Sequence, residues 1–195
     1  MEVFNMMWAI DKRNILYSQK FALWIGLASI SMMFAGFLSA YIVRQAAGNW
    51  LEFQLPILFT VNTAVIALSS FTIHIALNSF RSNKEFLYKF CLILTCLVGV
   101  VFVILQYKGW LQLFELGIDL KANPSGSFVY VISGVHVAHV LGGIAALTVA
   151  LVHAFALPFR SIPKRVNRLE MTVHYWHFVG VVWVILFLFF TFYRY

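Results

Sequence analysis

Apolar residues fall into five long runs, approximately 21–43, 56–80, 86–106, 127–157 and 172–193. A bilayer core takes about 20 helical residues to cross, so each run is long enough to span one. The gaps between them hold the charges and helix breakers: GNWLEFQLP, RSNKE, KGWLQLFELGIDLKANPSG and PFRSIPKRVNRLE. The pattern predicts an all-α fold, a polytopic membrane bundle of five transmembrane helices. The third gap is the longest and predicts a short interfacial helix. Pro158 and Pro163 punctuate the fourth. Residues 1–20 read as an interfacial N-terminal segment rather than a signal peptide. Its apolar stretch is short, its basic residues follow that stretch, and it lacks a small-residue cleavage site. Residues 21–195 read as a single five-helix domain, with no internal repeat or long linker.

The runs are not uniformly apolar, and their exceptions mark faces. In the fourth, His136, His139, Gly143, Ala146, Ala150 and His153 follow steps of three and four. They share about a 100° arc, which predicts a helix–helix contact face. In the fifth, Glu170, His174, His177, Val181 and Val184 form one stripe, while Trp176 and Trp183 lie on another. On the second, Thr63, Ser70 and His74 align. On the first, Ala35/Ser39 and Gly36/Ala40 offer small-xxx-small contacts.

Composition supports lipid as solvent. The 195 residues are 62% hydrophobic and 11% charged, whereas a soluble domain carries roughly 25% charged residues. The net charge of +7 does not point to nucleic acid, because the basic residues lie in the short gaps. They set orientation instead. With the N-terminus inside, the inner segments hold Lys12, Arg13, Lys20, Arg81, Lys84, Lys89, Arg160, Lys164, Arg165 and Arg168. The outer segments hold Arg44, Lys108, Lys121 and Arg194. The positive-inside rule therefore predicts the N-terminus inside and the C-terminus outside. Cys91 and Cys96 lie about 140° apart on one helix, so they neither bridge nor clamp a metal together.

Histidines at membrane depth are candidate ligands. A bis-histidine haem needs two rings at similar depth on facing helices, and His153 with His177 is the conceivable pair. His136 and His139 have no histidine on another helix at their depth. A di-iron site would need more histidines and carboxylates in one place. Hydrogen bonding within the bundle, or to a partner subunit, explains the rings more economically; proton handling and lipid head-group binding are the other readings. A transporter would show inverted repeats or a mid-membrane acid, and neither is visible. No GxxxxGK or GxSxG motif occurs.

Several ordered segments resemble subunit three of haem–copper oxidases. YWHFVGVVW (175–183) is similar to that family's last-helix signature, usually YWHFVDVVW. SGVHVAHVLGG (133–143) resembles the preceding helix, MFAGFLSAY (33–41) the first, and NTAVIALSS (62–70) the next. Leu105-Gln106 matches a family pair, and Glu170 falls where the family has an acid. The agreement runs from about residue 26 to the C-terminus and fits the five-helix bacterial form. Two family acids are missing: Ile30 and Gly180 occupy their positions.

The resemblance implies a non-redox subunit of a terminal cytochrome c oxidase in a bacterial cytoplasmic membrane. Oxygen reduction and proton pumping would belong to the catalytic subunit, with haem and copper in partner subunits and none here. Implied partners are subunit I, other oxidase subunits, phospholipids and, at the level of the complex, cytochrome c. A quinol oxidase is the nearest alternative. An autonomous haem-binding membrane protein and a small transporter are others. The expected subunit or lipid contacts are Asn62, Gln106, His136, His139, Gly143, His153, Glu170, His174, Trp176 and His177.

Overall fold

The computed structural model describes the backbone of residues 2–120 and 123–193, with side chains from residue 18 onward. It contains five helices: α1 (Glu2–Ala46), α2 (Ile57–Arg81), α3 (Glu85–Glu115), α4 (Pro124–Ala156) and α5 (Pro163–Phe192). All five are long and apolar enough to cross a membrane. The described residues contain no strand.

Local chemistry sets the helix ends. Pro124 and Pro163 occupy the first turns of α4 and α5, where a missing N–H costs no hydrogen bond. Asn123 caps α4 by accepting from Ser125 N at 2.9 Å. It also accepts from Leu51 N and donates to Asn49 O, tying the α1–α2 loop to the start of α4. Gly117, at φ +76°, closes α3 with Ile118 N donating to Leu113 O. Asn83, at φ 56°, closes α2 the same way, through Lys84 N to Ser79 O.

Two expectations shift. No separate interfacial helix follows the third run; α3 continues to Glu115. Its added turns still have packing partners: Gly109 lies against Phe59, Leu113 is buried, and Trp110 Nε1 donates to Ser133 Oγ at 2.9 Å. Helix α5 begins at Pro163, well before residue 172. Val166 is half-buried there and Asn167, Leu169 and Val173 are buried, so these turns also pack inward. The N-terminal backbone is continuous helix from Glu2, without a break at residue 20.

Helices α2 to α5 interlock, and α1 lies against α4 and α5. Trp176 is fully buried and joins four helices. Its ring lies between Gly99 of α3 and Gly143 of α4, and its Nε1 donates to Ser69 Oγ of α2 at 3.0 Å. Seven residues on, Trp183 repeats the arrangement. Its Nε1 donates to Thr63 Oγ1 at 3.0 Å. Its ring stacks on Phe59 of α2 and meets Phe102 of α3 and His136 of α4. Both indoles are therefore core residues, not members of an interfacial belt.

Helix α1 docks more lightly. Its buried residues among those described, Leu27, Phe34 and Tyr41, recur every seven positions. The small pairs expected to face the bundle instead point outward: Ala35, Gly36, Ser39 and Ala40 are all exposed. A Cβ added at Gly36 would meet nothing within 4 Å.

The packing around Trp176 yields a test. A Cβ at Gly143 would stand 2.9 Å from the indole, and one at Gly99 would stand 2.7 Å away. Gly143→Leu should destabilise the purified chain in detergent by about 1–3 kcal/mol through overpacking. Gly36→Leu should change stability far less. Thermal unfolding of the three proteins checks the order.

Candidate functional site

The histidines grouped by helix periodicity occupy different surroundings. His136 is fully buried, and neither ring nitrogen has a hydrogen-bond partner. Phe34, Phe102 and Trp183 surround it, with ring centroids 6.1, 5.9 and 5.1 Å away. It packs as an aromatic ring. His139 is half-buried; its Nδ1 lies 2.8 Å from Val135 O, and its own carbonyl accepts from Tyr175 at 3.0 Å. His153 is exposed at the rim of a cavity.

That cavity, about 440 Å³, opens at the end of the bundle where α5 begins. Phe80, Tyr88 and Phe159 contact one another along its wall. Ala146, Val149, Ala150 and Leu157 extend the apolar lining, and His153, Arg165 and Arg168 supply the polar groups. Gly143, Ala146, Ala150 and His153 thus run from the bundle core into this cavity. Apolar side chains and two arginines thus share one lining.

At the same end, Glu170 ties three helices. Its carboxylate accepts from Lys20 of α1 at 3.0 Å and from Arg81 of α2 at 2.7 Å. Its backbone carbonyl stands 2.6 Å from His174 Nδ1. His177 faces His74 of α2, with ring centroids 6.2 Å apart. Close by, Ser70, Gly180 and Val181 help line a hollow of about 260 Å³.

Asn62 and Gln106 lie deeper, joined by Asn62 Nδ2 donating to Gln106 Oε1 at 3.0 Å. Asn62 Oδ1 and Gln106 Nε2 remain unpaired in the interior. The pair acts as a polar link between α2 and α3. His153 and His177, the conceivable haem pair, line separate cavities. Among the described residues, no three His, Cys, Asp or Glu side chains gather closely enough to hold a metal ion.

The site residues that periodicity did not single out are Gly99, Ser69, Lys20 and Arg81 as interhelical partners. Thr63 does lie on a periodic stripe, but its bond to Trp183 depends on how α5 is rotated. Lys20 and Arg81 read as orientation charges, although Glu170 binds both.

Residues 25–195 match the family model described as Cytochrome c oxidase subunit III. The chain belongs to that family. A protein of Nocardia farcinica named "Probable cytochrome c oxidase subunit 3" is 32% identical, covering 84% of this chain and 82% of its own length. The Corynebacterium diphtheriae cytochrome c oxidase subunit 3 is 29% identical, over 80% and 79%. A Staphylococcus saprophyticus protein named "Probable quinol oxidase subunit 3" is 27% identical, over 86% and 85%. Family membership makes this chain subunit III of a haem–copper oxidase, a non-catalytic subunit, and its five apolar helices make it a multi-pass membrane protein.

The geometry makes two predictions. His136→Phe should leave stability unchanged or raised in detergent unfolding, because it removes two unpartnered buried nitrogens and keeps an aromatic ring. Turnover of the assembled oxidase should be unaffected. Glu170→Gln should lower stability by on the order of 1 kcal/mol. It should also flatten the salt dependence of the melting temperature, since the wild-type ion pairs are partly exposed and screened.

Proposed function

We propose that the chain serves a cytochrome c oxidase in a bacterial cytoplasmic membrane, as the subunit that braces subunit I and seats phospholipid. Haem and copper reside in the partner subunits, which reduce oxygen and pump protons. The observation that carries the reading is the match over residues 25–195. The dispersed histidines agree with it, because each has a packing, hydrogen-bonding or surface position of its own. The higher identity to the Nocardia and Corynebacterium cytochrome c oxidase subunits favours cytochrome c as donor. The Staphylococcus relative keeps a quinol oxidase as the second reading.

Orientation follows from charge. Lys20, Arg81, Arg165 and Arg168 cluster with Glu170 and the large cavity at one end of the bundle, which is accordingly the cytoplasmic end. The cavity there holds a phospholipid, its acyl chain along Ala146, Val149 and Ala150 and its phosphate between Arg165, Arg168 and His153. Support of proton uptake does not run through the two family acid positions. Ile30 packs against the core, and Gly180 has no side chain to titrate.

Purification of the native complex tests this reading. The chain should copurify with a haem-containing subunit, and the complex should consume oxygen with reduced cytochrome c. Activity with quinol alone would shift the assignment to a quinol oxidase. Arg165→Gln/Arg168→Gln should reduce tightly bound phospholipid, counted by native mass spectrometry, with little change in assembly. An unchanged lipid count would remove the cavity from the lipid site.

A further inference from the structure

Between α1 and α2 runs a strip of α5 that is polar at a depth where acyl chains offer no hydrogen bonds. It starts at Glu170, held by Lys20 and Arg81. One turn on is His174, exposed, its ring edge-on to Trp24 of α1 at 6.2 Å. His177 follows, facing His74 of α2. Neither the His74 nor the His177 ring has a hydrogen-bond partner among the described residues. Past them, Gly180 opens the 260 Å³ hollow. A Cβ there would stand 3.1 Å from Ser70 Oγ.

Depth decides what can cover these groups. His177 is seven residues along α5 from Glu170, and His74 is seven along α2 from Arg81. At 1.5 Å per residue, both stand roughly 10 Å into the bundle from the ionic cluster. A lipid phosphate at the level of Glu170 does not reach them, whereas a transmembrane helix presents side chains at every depth. Ionisable groups within membranes face protein or water rather than acyl chains. A neutral imidazole offers one N–H donor and one acceptor nitrogen, so the complement is a polar side chain able to hydrogen-bond with either.

We propose that this α1–α5–α2 trough receives a transmembrane helix of the haem-carrying subunit. That helix sets a carboxylate, carboxamide or hydroxyl against His74 and His177. An apolar side chain from it fills the hollow beside Gly180. The proposal rests on the oxidase-subunit reading above and adds the face and the chemistry of the contact.

The test uses the full chain in its oxidase complex. Leucine is well suited to lipid, so His74→Leu/His177→Leu should not harm the isolated chain, whose melting temperature should hold or rise. Retention on the haem-carrying subunit through detergent washing should fall at least tenfold. Unchanged retention overturns the proposal. A photo-crosslinking residue at Val181, in the otherwise wild-type chain, provides the second measurement. It should join the haem-carrying subunit, while one at Val100, exposed on α3, should not. Crosslinks from Val181 to phospholipid alone, or to the subunit from Val100 alone, overturn the trough and leave the subunit reading intact. Failure of the wild-type chain to copurify with any haem-containing subunit defeats the subunit reading itself.

Discussion

Trp176 inserts its ring between Gly99 and Gly143 and donates its N–H to Ser69. Within a bilayer, lipid tails are as apolar as leucine, so helices gain little by merely hiding apolar surface from one another. Close packing and directed hydrogen bonds must fix the arrangement. Trp176 supplies both to three neighbouring helices at once, and Trp183 does so again two turns further along. These two contacts set the rotation of α5. That rotation in turn turns Glu170, His174 and His177 toward α1 and α2, and leaves Gly180 against Ser70. The surfaces assigned to partner and lipid follow from how the indoles are seated.

Much of the fold was legible because hydropathy and helix length constrain each other strongly in a membrane. Five apolar runs mapped onto five helices. Their ends moved where amphipathic turns kept a buried face, as in Leu113 of α3 and Leu169 of α5. Facing was harder to read. Small residues on α1 promise the same close approach as Gly143 on α4, yet Gly36 is open and Gly143 touches an indole. Periodicity tells which residues share a side of a helix. It does not tell whether that side meets protein or lipid when both are apolar.

The histidines make the same point chemically. His136, Gly143 and His153 do lie along one face of α4, but the face runs from a closed aromatic cage to the rim of a cavity. A shared stripe does not imply a shared environment. The ordered motifs were more informative than any single ring. They identified the family, and Asn62 with Gln106 proved to be hydrogen-bonded partners from two separate motifs. The pairing of Glu170 with Lys20 and Arg81 could not be read, because 150 and 89 residues separate the partners.

That long reach bears on how the chain is assembled. Helix α1 is synthesised before α2 to α5, yet the two indoles meet their partners on α2, α3 and α4. The interlocked unit can close without α1. Lys20 waits for a carboxylate synthesised 150 residues later, and Phe34 waits for the histidines of α4. Helix α1 can thus dock after the other four, and until it does Glu170 keeps only its Arg81 partner on α2.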